Sequence, residues 1–164
     1  MSRTYLNDNW NFSTEYTEAM IQADYDESSM ESVRIPHTCK EVPFHYFDEQ
    51  MYQMVCGYRR NIFAPETWRD KSVVLTFEGV AHSAQIFING KLVKEHNCGY
   101  TACSVEIGDL LRYGQNNQLT VRVNSREDQN IPPFGFVIDY MTFGGIYRGL
   151  SGGKGKRISG RYLC

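Results

Sequence analysis

The chain of 164 residues carries 17 basic and 19 acidic side chains, a formal net charge of −2. No strong field therefore draws it to nucleic acid or to a membrane surface, and no apolar run approaches the roughly 20 residues that cross a bilayer. The opening MSRTYLNDNW lacks the apolar stretch of a secretory signal, which predicts a cytoplasmic protein.

In chain order, Thr14 to Ala23 has room for a helical turn or two. Val33-Arg34-Ile35 reads as a short strand stopped by Pro36, which has no N–H for a ladder. Cys39 and Cys56 follow; with Cys98, Cys103 and Cys164 they make five cysteines, an odd count without C-x-x-C spacing. His37, His45, His82 and His96 show no H-E-x-x-H pattern. Packing thiols are expected, and neither a disulfide framework nor a zinc cluster.

Glu66-Thr67-Trp68 after Pro65 is a short turn, and Ser72 to Phe77 is a β-branched strand bounded by Gly79. In Ala84 to Ile88 the residues Ala84, Ile86 and Ile88 share a face. Asn89-Gly90 predicts a type I′ hairpin turn, because both its central positions need positive φ. Cys103 to Ile107 alternates again, and Asp109 stands before Leu110-Leu111 as an N-cap would. A turn at Gly114 to Asn117 leads into Gln118 to Val123, where Leu119, Val121 and Val123 align.

Short alternating strands between Gly and Asn turns predict an all-β sandwich. Residues 124–144, NSREDQNIPPFGFVIDYMTFG, break the pattern as a long loop, and long ordered loops often carry function. The last fourteen residues, SGGKGKRISGRYLC, read as a flexible tail over 151–164, natural or appended. Their KGKR is too short to read as a nucleic-acid patch.

Three segments carry the reading further: RIPHTCKEVPFHYFDE (34–49), FEGVAHSAQIFINGKLVKEHNCGYTACSVEIGDLLRYGQNNQLTVRV (77–123) and GGIYRGL (144–150). Gly79-Val80, Ala84, Asn89-Gly90, His96, Gly99-Tyr100-Thr101, Leu110-Leu111 and Gly145-Ile146-Tyr147-Arg148 occur in one order. That order resembles glycoside hydrolase family 2, and within it the N-terminal sugar-binding domain of β-galactosidases and β-glucuronidases. The resemblance implies a jelly-roll β-sandwich of galactose-binding-domain-like topology over residues 1–150, with Ile86, Ile88, Val105 and Ile107 facing the core.

It also implies where the chemistry lies. Both catalytic glutamates of the family sit on a (β/α)₈ barrel further along the polypeptide, and nothing here resembles the barrel motifs, so the chain alone is expected to be inactive. Glu41, Glu49, Glu127 and Asp128 read as solvated acids. Asp139 matches an aspartate at the active-site mouth, near a bound cation and the sugar hydroxyls; its alternative is a turn cap. Tyr140 and Phe143 either flank the sugar or pack in the core.

His45 stands where relatives carry an asparagine that reaches substrate, and is either a sugar contact or an exposed loop histidine. His37 is expected to hydrogen-bond structurally. No cofactor is implied in this chain, with Na⁺ or Mg²⁺ in the complete enzyme held partly by Asp139. The implied partners are a β-galactoside or related carbohydrate and the immunoglobulin-like and barrel domains of a parent enzyme. Two other readings stay open: a free-standing carbohydrate-binding module, and a non-enzymatic sandwich that mediates protein contacts.

Overall fold

The computed structural model describes residues 2–41, 45, 49–131 and 144–156. Two antiparallel sheets face each other. One has the order β1 (Ser2–Tyr5), β10 (Leu150–Lys156), β5 (Lys71–Phe77), β8 (Cys103–Glu106). The other runs β3 (Glu31–Val33), β2 (Trp10–Ser13), β4 (Val55–Ala64), β9 (Gln115–Asn124), β6 (Ser83–Ile88), β7 (Lys91–His96). This is the expected all-β jelly-roll sandwich.

The alternation puts the core where the sequence places it. Val73, Leu75 and Phe77 of β5 are buried against Ile86 and Ile88 of β6 and Leu119, Val121 and Val123 of β9. Ile86 pairs with Val121 and Ile88 with Leu119, so the apolar faces stay in register. Val105 and Ile107 are buried as expected. Each such side chain removed from water contributes about 1.5–3 kcal/mol.

Asn89 and Gly90 take φ of 50° and 82°, so the hairpin turn forms as read, with β7 as its return strand. The Asn89 amide also donates to the Leu110 carbonyl at 3.2 Å and to Asn117 Oδ1 at 2.8 Å, and its Oδ1 accepts the Gln118 N–H at 3.0 Å. The helical room after Thr14 becomes a 3-10 turn at Glu18–Ile21, and another covers Glu66–Trp68.

Three sequence expectations are corrected. Residues 151–156 are not tail: they belong to β10, which pairs with β5 on one side and β1 on the other. Glycine-rich backbone gives no alternation to read, yet its N–H and C=O groups fill both ladders. Residues 157–164 lie outside the described residues. Asp109 is not the N-cap of its turn: the 3-10 turn is Gly108–Leu110, Ile107 precedes it, and no side chain caps it. Residues 115–117 already belong to β9, because Gln115, Asn116 and Asn117 pair with Ala64, Phe63 and Ile62.

Candidate functional site

β4 begins and β9 ends side by side, Val55 opposite Asn124. The segments that lead into β4 and out of β9 therefore share one end of the sandwich, and these are the stretches that carry His45 and Asp139. Their bases are tied by backbone hydrogen bonds. Cys39 N–H donates to the Gly144 carbonyl at 3.0 Å and His37 N–H to that of Ile146 at 2.8 Å. Ser125 N–H donates to the Met54 carbonyl at 3.0 Å, and Ala81 and Gly145 exchange a pair at 3.1 and 3.4 Å.

The side chains beneath this junction are packed and polar. His37 Nδ1 lies 2.9 Å from the Tyr58 hydroxyl, and the His37 ring sits 4.6 Å from that of Phe12. This is the structural role expected of His37; burial lowers its pKa, which favours the neutral ring. Cys39 Sγ stands 3.7 Å from Ser125 Oγ. A hydrogen bond from the Cys56 thiol lowers the Cys39 pKa to about 7 and pushes Cys56 up. Cys39, Cys56, Cys98 and Cys103 are all free thiols, and only Cys98 is not buried; Cys164 lies outside the described residues.

Two glycines make the close approach possible. Gly145 has φ of +108°, and a Cβ there would stand 2.7 Å from the Tyr58 oxygen and 2.8 Å from the His37 carbonyl. At Gly144 a Cβ would meet Cys39 Sγ at 2.6 Å. The sequence reading used these glycines as family markers and did not see this role; Gly-Gly at a loop exit was the signal available.

His45 is exposed and in a turn. It lies six positions beyond Cys39, so chain length tethers it within about 22 Å of the junction. Asp139, Tyr140 and Phe143 lie outside the described residues. Of the acids read as solvated, Glu41 and Asp128 are exposed and Glu127 is half-buried. Asp128 Oδ1 accepts the Asn130 N–H at 2.8 Å, which is turn chemistry. Among the described residues no group of three or more His, Cys, Asp or Glu is placed to hold a metal ion, and no helix is long and apolar enough to cross a membrane.

The fold is a two-sheet jelly roll whose described segments before β4 and after β9 are tied at one end. Residues 4–152 match the glycosyl hydrolases family 2 sugar binding domain, and the chain belongs to that family. It is similar to a β-galactosidase of Thermoanaerobacterium thermosulfurigenes, 43% identical over 147 residues, covering 89% of this chain and 20% of that protein. It is also similar to a β-glucuronidase of Bacteroides fragilis, 34% identical over 143 residues, covering 87% of this chain and 19% of that protein. Among solved structures, Bacteroides uniformis β-glucuronidase 2 covalently bound to cyclophellitol-6-carboxylate aziridine superposes with a TM-score of 0.78 at 32% identity, over 92% of this chain and 17% of that one. The chain thus spans about a fifth of the length of the curated relatives it matches.

Proposed function

We propose that this domain is a non-catalytic part of a larger retaining glycosidase and lends two segments to its substrate site. One is the turn at His45; the other is the loop through Asp139, Tyr140 and Phe143. The observation that carries the proposal is the junction of Cys39 with Gly144, which ties both segments to one end of a rigid sandwich. Rigid support of a contact loop keeps its polar groups near the geometry the substrate needs.

In this reading Asp139 accepts hydrogen bonds from sugar hydroxyls and shares a hard cation, Na⁺ or Mg²⁺. Among the described residues no group of three or more His, Cys, Asp or Glu could hold that cation by itself. A β-galactoside is the favoured substrate, since the β-galactosidase relative is 43% identical and the β-glucuronidase 34%.

The test is Asp139→Asn in the complete enzyme. A hydrogen bond to a charged group is worth about 1.5–3 kcal/mol, so kcat/KM on an aryl β-galactoside should fall roughly 10- to 100-fold. The melting temperature of the domain should stay within about 1–2 °C of wild type. Intact kinetics together with a destabilised domain would make Asp139 a structural cap and end the assignment.

A further inference from the structure

On β10, Leu150 faces the core and the next inward position, two residues on, is Gly152. The missing side chain leaves a gap between the sheets. A partly open cavity of about 260 Å³ occupies it, with Ile62 of β4 on one side and Val73 and Leu75 of β5 on the other. Ile62 lies seven residues along β4 from Val55, so the cavity is on the order of 20 Å from the loop junction.

The polar lining is one-sided. Arg60 faces inward from the same strand as Ile62; its guanidinium donates to the Asp8 backbone carbonyl, while its Nε is buried with no hydrogen-bond partner. The Asp8 carboxylate is engaged by Arg34 at 2.8 Å. Lys154 of β10 reaches the cavity with its ammonium 5.3 Å from the centroid of the Trp68 ring. Among the described residues no acidic side chain lines the space. A guanidinium donor removed from water without a partner is costly, and a bound carboxylate would satisfy it.

We propose that this cavity binds an amphipathic monoanion, a medium-chain or aryl carboxylate. Its apolar body would lie between Ile62, Val73 and Leu75, and its carboxylate would face Arg60 and Lys154. An apolar cavity of about 150 Å³ holds benzene, so this one suits about ten non-hydrogen atoms, the size of octanoate. A sugar does not fit the wall chemistry, because the aliphatic side chains leave its hydroxyls unpaired. The proposal does not depend on the sugar-site reading.

The experiment is calorimetric titration of the 164-residue chain with octanoate and with octanamide, its uncharged counterpart. Octanoate should bind with Kd below about 1 mM, and octanamide at least about tenfold more weakly. Gly152→Met should abolish binding by filling the gap; a Cβ there would stand 3.4 Å from Leu6, an ordinary contact, so the fold should survive. Lys154→Gln should weaken octanoate about 3- to 10-fold and leave octanamide unchanged. No octanoate binding by the wild-type chain, equal affinity for the amide, or binding untouched in a folded Gly152→Met chain would each overturn the proposal. If Gly152→Met does not fold, the Lys154→Gln result decides it.

Discussion

Asn117 is a side chain whose chemistry exceeds its size. It has no exposed surface, yet its Oδ1 accepts the Arg112 N–H at 2.7 Å and the Asn89 amide at 2.8 Å. Its Nδ2 is shared among the carbonyls of Arg112, Gln115 and Ile62 at 2.9, 3.2 and 3.4 Å. One amide thus closes the turn before β9, holds β4, and receives the hairpin turn of β6. Asn117→Ala would strand buried backbone groups, at about 2–4 kcal/mol. Asn89→Ala adds the strain of positive φ to its lost bonds, at about 1–3 kcal/mol. Because the two share a bond, the double variant should cost about 1 kcal/mol less than the two losses added together. Urea denaturation of the three variants checks this; simple additivity would mean the asparagines act independently. The sequence marked Asn89 by its Gly neighbour, but nothing local marked Asn117, whose partners come from three separate segments.

At the level of elements, legibility followed side-chain alternation. β5, β6 and residues 118–123 of β9 were readable because their inward residues are apolar and buried in alternation. β4 shows its pattern poorly. Arg60 faces inward, and the outward Arg59 is only 1% exposed because residues 20–27 cover it. Arg59 Nε donates to Glu27 at 2.7 Å, and its guanidinium to the Gln22 carbonyl at 2.9 Å. Charge at both faces hides a central strand. β10 hid for the opposite reason, since three of its seven residues are glycine and show no pattern at all. The two loop bases were readable only as family markers, because their bonds are backbone bonds. Truncation therefore offers a sharp check. A chain ending at Gly149 loses the strand between β1 and β5 and should show no cooperative thermal transition. The full chain should melt cooperatively. Equal melting of both would mean that β10 is dispensable.

Across the whole molecule the two ends of the sandwich differ in kind. One end is joined by backbone bonds and carries the segments proposed to reach sugar; toward the other, a glycine leaves a cavity flanked by cations. The β4–β9 ladder links them, ten consecutive pairs from Val55–Asn124 to Ala64–Gln115.

The Cys39–Gly144 bond also has a consequence in time. It joins positions about a hundred residues apart, whereas the β6–β7 hairpin closes over a two-residue turn. At about 0.6 kcal/mol per doubling of loop length, closing the longer loop first would cost about 3 kcal/mol more chain entropy. The hairpin and the β6–β9 pairing should therefore form early, and the junction only after the sheets have brought residues 39 and 144 together. Pulsed hydrogen exchange during refolding should protect the amides of Ile86, which faces β7, and Thr120, which faces Phe87 of β6, before those of Cys39 and His37. Simultaneous protection would instead place the junction in the folding nucleus. With the expected order, the end of the domain proposed to meet substrate is the last to be finished, and a partly folded chain would carry a sound core without a working site.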